Sequence, residues 1–506
     1  MGKNIARLYS AELEGIDAKV IEVEADVSVG LHRFEIVGLA DKALNEARER
    51  INSALKNSGV KSPNRENRKI TINLAPAHIK KAGSHYDLSI ALGYLLATRQ
   101  IEAFDASDKL FLGELALDGR LRPIVGALNI AETAAQKGFK FIFLPAANAN
   151  EAAIIAGITV IPLAHLREVI AFLEERISIS PQQFSNEQRA QRLFPDFSEI
   201  KDQENAKRAL TIAASGRHNI LMTGPPGVGK SFLARAAIGI MPDLERTEAI
   251  EVMKIWSATG LGADSFVRER PFRAPHQTIS LQALIGGGFT PRPGEVSLAH
   301  RGVLFLDELA EFNRNALESL REPLETGSIK IARAKSSFVF PANFMLIAAM
   351  NPCPCGYFGS PETPCKCLPA EVLRYQKRIS GPLLDRIDIQ IKLERVSLEK
   401  LRSTEGSGLA TPKIRTVVER ARQMQKRRFG SGERSNASIQ PKELPAVLRL
   451  DASGDRFLAA LEGKSFSPRS YHRLLKVART IADIEQKENT SGDHLAEAFG
   501  YRLREN

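Results

Sequence analysis

The sequence predicts a multidomain α/β chain: an α+β segment in front, an α/β domain built on a parallel sheet, and a helical domain at the end. Three observations carry this. At 506 residues the chain exceeds what one hydrophobic core supports, and ordinary domain size divides it into about three units. From residue 197 to about 393, apolar strand patterns alternate with helical ones, as parallel strands joined by crossovers require. From Lys413 onward the periodicity is helical and basic. The boundaries read as 1–175, a polar linker 176–196, an α/β core 197–395, a second linker 396–412 rich in Gly, Ser and Thr, and 413–506.

Composition narrows the class. With 43% hydrophobic and 25% charged residues the chain reads as soluble and globular, which excludes a disordered or fibrous protein. No apolar run approaches the roughly 18 residues of a membrane span. Met1-Gly2-Lys3-Asn4-Ile5-Ala6 leads into no secretory core, and Ala6 stands where a myristoylation motif carries Ser or Thr. The expectation is a cytoplasmic protein without a membrane partner. A net charge of +11 favours a polyanionic partner, nucleic acid before an anionic lipid surface.

In the front segment, Val20, Val23, Val27 and Val29 mark one or two strands, and Ile70 to Leu74 alternates with period two up to Pro76. Asp41 is placed to cap a helix whose apolar positions Leu44, Ala47, Ile51, Ala54 and Leu55 recur at helical spacing. Phe141–Leu144 and Thr159–Ile161 read as short strands around an alanine-rich helix.

The second segment opens with Gly224-Pro225-Pro226-Gly227-Val228-Gly229-Lys230-Ser231, which fits G-x-x-x-x-G-K-[ST] at every fixed position. An apolar strand (Asn219–Met222) enters it and a helical pattern (Phe232–Ile240) leaves it. Glycines let backbone N–H groups turn onto phosphates, and the helix N-terminus adds a favourable dipole. Lys230 supplies a charge at the β/γ-phosphates of ATP, and the Ser231 hydroxyl reaches Mg²⁺. Val303–Leu306 is an apolar strand ending in Asp307 and Glu308, at the tip where ligands bind in open α/β sheets. Asp307 would help hold Mg²⁺ and Glu308 would polarise the attacking water, although acids at a strand end also cap helices. A third apolar strand, Phe344–Met350, ends at Asn351, an amide able to orient that water or simply a turn former before Pro352.

Between these strands, Ser328–Phe340 reads as a hairpin whose cations Lys330, Arg333 and Lys335 lie on or near its tip. They suit a phosphate backbone, or a merely solvated hairpin. Gly286–Glu295, with Phe289 and Arg292, is a second such loop. All four cysteines fall at Cys353, Cys355, Cys365 and Cys367. Four clustered thiolates suit a structural Zn²⁺, with redox disulfides and unused thiols as competing readings. From Lys413 to Arg434 eight Lys or Arg face two Glu, either a solvated helix face or a nucleic-acid contact.

The phosphate loop, acidic strand and Asn351 in this order resemble an AAA+ ATPase. Arg273-Ala274-Pro275-His276, Gly286-Gly287-Gly288, Pro293-Gly294-Glu295 and Leu383-Leu384-Asp385-Arg386 resemble its magnesium-chelatase-like branch, and within that the YifB/ComM competence-protein family. The resemblance spans essentially the whole chain. It implies a hexameric ring with ATP sites shared between neighbours. Arg386 matches the arginine finger given in trans, and Arg469 of Ser467-Pro468-Arg469 matches the arginine of the helical lid. By residues alone, an arginine beside Asp385 and Asp388 is an ordinary ion pair. The hairpin would project into the ring's pore. Gly113-Glu114-Leu115 and Gly119–Gly126 resemble the ChlI-type, Lon-protease-like (ribosomal S5 domain 2-like) domain. Lon-type proteolysis needs a Ser–Lys pair; Ser84 is present, but Asn129 stands at the expected lysine, which makes the domain non-proteolytic. The resemblance therefore implies an ATP-driven DNA translocase or helicase promoting branch migration. The alternatives are a remodeller of a protein partner and, disfavoured by Asn129, a protease.

Overall fold

The computed structural model describes residues 5–31, 33–39, 42–63, 67–184, 194–262, 266–288, 291–333, 337–396, 410–461 and 467–502. The chain forms two compact units, Met1–Arg189 with Met253–Val267, and Ala190–Val252 with Arg268–Asn506. Their boundary falls within the linker read at 176–196. Two features depart from the sequence reading. Met253–Val267, read as part of the α/β core, belongs to the first unit, and the core and lid form one unit.

The first unit is built on seven strands: β1 (Ile5–Glu14), β2 (Asp17–Val29), β3 (Arg33–Val37), β4 (Arg68–Ala75), β5 (Lys109–Phe111), β8 (Phe141–Pro145) and β9 (Thr159–Leu163). A small ribbon, β6 (Glu114–Leu115) with β7 (Leu121–Arg122), lies apart from them. The order is β3-β4-β2-β1-β5-β8-β9. β2 is one strand, and its inward residues are Ile21, Val23 and Ala25, whereas Val29 is 96% exposed. Pairing with β1 and β4 sets that parity, which the valine spacing alone left open. Ile70, Ile72 and Leu74 face inward from β4 as the alternation requires. In the helix Lys42–Asn57, Leu44, Ala47, Ile51, Ala54 and Leu55 are all buried. Its expected cap, Asp41, lies outside the described residues.

The second unit contains five parallel strands: β10 (Ile220–Thr223), β11 (Phe272–Arg273), β14 (Val303–Leu306), β17 (Met345–Met350) and β18 (Ile389–Lys392). Their order is β11-β14-β17-β10-β18. Alternate residues feed two cores. Ile220, Met222, Val303, Phe305, Met345 and Ile347 pack on one face, and Leu221, Leu304, Leu306, Leu346 and Ala348 on the other. Burial on both faces explains why these strands are continuously apolar. Two hairpins leave the sheet, β12 (Gly286–Gly287) with β13 (Arg292–Pro293) and β15 (Ser328–Ala332) with β16 (Ser337–Pro341).

The lid begins at Thr411, two residues earlier than the sequence suggested, because Pro412 fits the first turn of the helix Thr411–Phe429. The helix Pro468–Ile484 is N-capped by the Ser467 hydroxyl, which accepts from the Ser470 N–H at 3.1 Å. It buries Leu474, Leu475, Val477, Ala478 and Ile481 in the core shared with the sheet. Half of the eight cations in the basic run are in ion pairs within the unit. Arg415 pairs with Glu419, Lys426 with Glu245, Arg428 with Asp483 and Arg434 with Glu443. This favours the structural reading of those cations over a nucleic-acid contact.

Candidate nucleotide site

Because the strands are parallel, their C-terminal ends share one edge. β17 lies between β10 and β14, with Thr223 opposite Met350 and Leu306 opposite Ala348. That register brings the glycine loop after Thr223, Asp307 after Leu306 and Asn351 after Met350 to a single edge. The loop turns through Gly227 and Gly229, both at positive φ (79° and 87°), where a side chain is strained. Space beside both is open, so the glycines serve backbone conformation.

The side chains converge there. The Lys230 ammonium donates to Gly224 O (2.6 Å), Pro225 O (2.9 Å) and Asn351 Oδ1 (2.9 Å). The Ser231 hydroxyl donates to Asp307 Oδ2 at 2.6 Å. Burial pulls the Lys230 pKa down to about 8, opposed by the charges of Asp307 and Glu308. Both carboxylates therefore lie within electrostatic reach of the lysine. Glu308 has φ +51°, a left-handed conformation costing roughly 1–3 kcal/mol for a non-glycine residue and concentrated at working sites. Ser231 and Asp307 present two hard oxygens side by side, a donor set that fits Mg²⁺.

The arginines lie elsewhere in this unit. Arg386 pairs with Glu325 and donates to Pro382 O at 2.8 Å, and Arg469 lies 3.7 Å from the same Glu325. The ordinary pairings open to Arg386 are taken by others: Asp385 by Arg473 at 3.1 Å and Asp388 by His218 at 3.0 Å. Sequence reasoning missed Glu325 and Arg473. Arg473 stands four residues after Arg469, hence on the same helix face, and that spacing was an available signal.

The four cysteine sulfurs lie within 4.8 Å of one another, with three separations of 3.4, 3.5 and 3.6 Å. Tetrahedral Zn²⁺ with Zn–S of about 2.3 Å sets sulfurs about 3.8 Å apart, so the cluster fits the ion with little adjustment. All four are free thiols, and backbone N–H groups of Tyr357 and Lys366 hold the Cys355 thiol down to about 6. Gly356, inside this loop at φ +85°, sits against the phosphate loop: a Cβ there would come within 2.6 Å of Pro226 Cδ.

On the β15–β16 hairpin, Lys330 is exposed but mid-strand, opposite Val339, not at the tip. Arg333 follows β15, and Lys335 lies outside the described residues, as does Phe289 of the other hairpin. The hairpins adjoin, for a Cβ on Gly286 would meet Ile331 Cδ1 at 3.3 Å. In the first unit the Ser84 hydroxyl donates to Glu114. The Asn129 amide donates to Ile16 O (2.7 Å) and Lys254 O (3.1 Å), so its nitrogen is committed to backbone carbonyls.

Comparison with known proteins covers the whole chain. Residues 196–401 match the family described as magnesium chelatase, subunit ChlI; residues 23–148 match subunit ChlI of Mg-chelatase; residues 408–502 match its C-terminal family. The chain is 40% identical over 511 residues to competence protein ComM of Haemophilus influenzae, spanning 99% of this chain and 97% of that protein. It is 42% identical over 495 residues to the YifB protein of Escherichia coli, with 96% and 95% covered. Over 179 residues it is 28% identical to the magnesium-chelatase 38 kDa subunit of Rhodobacter capsulatus, with 32% and 51% covered. No helix among the described residues is long and apolar enough to cross a membrane.

Proposed function

The chain belongs to the YifB/ComM family of magnesium-chelatase-like AAA+ ATPases, and on that premise we propose an ATP-driven hexameric DNA translocase that promotes branch migration in transformation or recombination. The observation that carries the ATP-site assignment is the convergence of Lys230, Asn351, Ser231 and Asp307 at one sheet edge. Ser231 and Asp307 would hold Mg²⁺, which neutralises phosphate charge when bound. Lys230 exchanges its three protein acceptors for phosphate oxygens, Glu308 takes the proton of the attacking water, and Asn351 orients that water. Arg386 acts on the neighbour's nucleotide, and Arg469 is the arginine of the helical lid. The four cysteines hold a structural zinc, whose requirement for thiolates suits the cytoplasm.

The Lys230 pKa gives a pH signature. The ammonium is the phosphate-binding form, and a bound triphosphate raises its pKa, so binding takes up a proton above pH 8. ATP affinity is expected to be level below pH 7, to fall about twofold by pH 8 and to approach a loss of about tenfold per unit above that, read as Kd by titration. An affinity flat to pH 9.5 would count against a lowered Lys230 pKa.

Support for DNA comes from the competence role for which the Haemophilus influenzae relative is named and from the exposed Lys330 on the β15–β16 hairpin. The second reading, a remodeller of a protein partner, draws on the lid cations being engaged internally and on the likeness to a magnesium-chelatase subunit. The two readings separate on ATP turnover with and without branched DNA. We expect stimulation together with junction unwinding, both lost in Lys230→Ala. No stimulation and no unwinding would favour the protein remodeller.

A further inference from the structure

Two arginines with separate proposed duties meet at one carboxylate. Glu325 accepts from the Arg386 guanidinium and lies 3.7 Å from Arg469 of the lid. Glu325 is itself half exposed, while the Arg386 side chain is 12% exposed. The backbone carrying Arg386 is firmly held. Arg473 donates to Leu384 O (2.9 Å) and Ile387 O (2.7 Å), and Asn219 Nδ2 donates to Arg386 O at 2.8 Å. The guanidinium is held less completely: Glu325 and one carbonyl are its hydrogen-bond partners, and its buried Nε has none. Such an arrangement fixes where the side chain starts and leaves its charged head dependent on one ion pair.

Glu325 also stands beside the hairpin. It is the penultimate residue of the short helix Arg321–Thr326, Gly327 turns at φ +70°, and β15 begins at Ser328. Thr326 Oγ1 accepts from Ser328 N at 3.3 Å, and Gly327 O accepts from Ala342 N at 2.8 Å, so both hairpin strands are anchored next to the carboxylate. Only Thr326 and Gly327 separate Glu325 from the first residue of β15.

We propose that Glu325 is a positioning residue for hydrolysis. It holds Arg386 and Arg469 away from nucleotide until a polyanion on the β15–β16 hairpin shifts the end of its helix and frees them. The inference rests on the proposed roles of the two arginines. A phosphate chain is the suited trigger, because among the described residues Lys330 on β15 and Arg333 just after it are exposed cations, and β15 continues directly from the segment carrying Glu325. No bond is made or broken in this step; one ion pair is exchanged for contacts with phosphate.

The test uses the full chain, with a four-way DNA junction as the probe and phosphate release as the readout. Glu325→Gln removes the charge and keeps the shape. Without DNA its kcat is expected to rise about tenfold, the worth of one charge-assisted hydrogen bond, with KM for ATP unchanged and the stimulation by DNA reduced by a similar factor. Glu325→Asp should retain native behaviour, and adding Arg386→Ala to the Gln variant should abolish the gain. A Gln variant with native or lower DNA-free kcat, or with a change confined to KM, overturns the proposal. If Arg386→Ala alone keeps native turnover, the role given to Arg386 fails and the inference with it. If Arg386→Ala is inactive while Glu325→Gln behaves as native, only the Glu325 inference fails.

Discussion

Glu308→Gln is expected to bind ATP as the native chain does and to hydrolyse it roughly 10²–10⁴-fold more slowly, the range a positioned general base contributes. The amide preserves the volume at the end of β14 and the left-handed turn but accepts no proton. Lys230→Ala should fail one step earlier. Its ammonium is the charge nearest the glycine loop, joined to Gly224, Pro225 and Asn351, and removing it strands those acceptors without a donor. The two variants therefore separate on two measurements, Kd for a fluorescent ATP analogue and kcat from phosphate release. Native-like turnover in Glu308→Gln would remove Glu308 from the chemistry. Native-like binding in Lys230→Ala would remove the loop from it.

How much was visible in the sequence follows from how local each feature is. The glycine loop, its entering strand and its leaving helix occupy one contiguous stretch, so chemistry and conformation coincide in Gly224–Gly239. Asp307 and Asn351 were legible for a similar reason, since each ends a strand whose unbroken apolar run marks burial on both faces. The hairpin Ser328–Pro341 was legible from alternation, and pairing with Val339 sets Lys330 mid-strand, a register that alternation alone did not fix. What was not legible depends on distant partners. Glu325 has no motif, and its importance arises when Arg386 and Arg469 arrive from two other elements. The basic lid helix reads in sequence as a solvated face or a nucleic-acid contact, and its pairing with Glu245 and Asp483, through Lys426 and Arg428, depends on partners distant in the chain. Met253–Val267 reads as one with its neighbours, and only tertiary contact assigns it to the first unit.

Removing metal from the cysteine loop should disable the nucleotide site although no cysteine touches it. The loop between Asn351 and the helix Pro369–Gln376 has little apolar core of its own; among its thiols Cys353 is buried and the other three are half-buried. Without a cation the four sulfurs are thiols with no bond joining them and little else to close the loop, which is why structural zinc contributes directly to folding in such loops. Two links carry the disturbance inward. Asn351, two residues before Cys353, holds Lys230 at 2.9 Å, and Gly356 packs on Pro226 with no room for even a methyl group. A displacement of about 1 Å in groups that position a reacting phosphate can cost about 10²-fold in rate. The purified chain is thus expected to carry one zinc per molecule by elemental analysis, and stripping it with a strong chelator to reduce ATP turnover by about that factor. Gly356→Ala gives the same coupling without touching the metal: its Cβ would press on Pro226, slowing turnover while zinc content stays at one. Full turnover in the metal-free chain would show that the phosphate loop stands independently of the cysteine loop, and full turnover in Gly356→Ala would show that their contact is incidental.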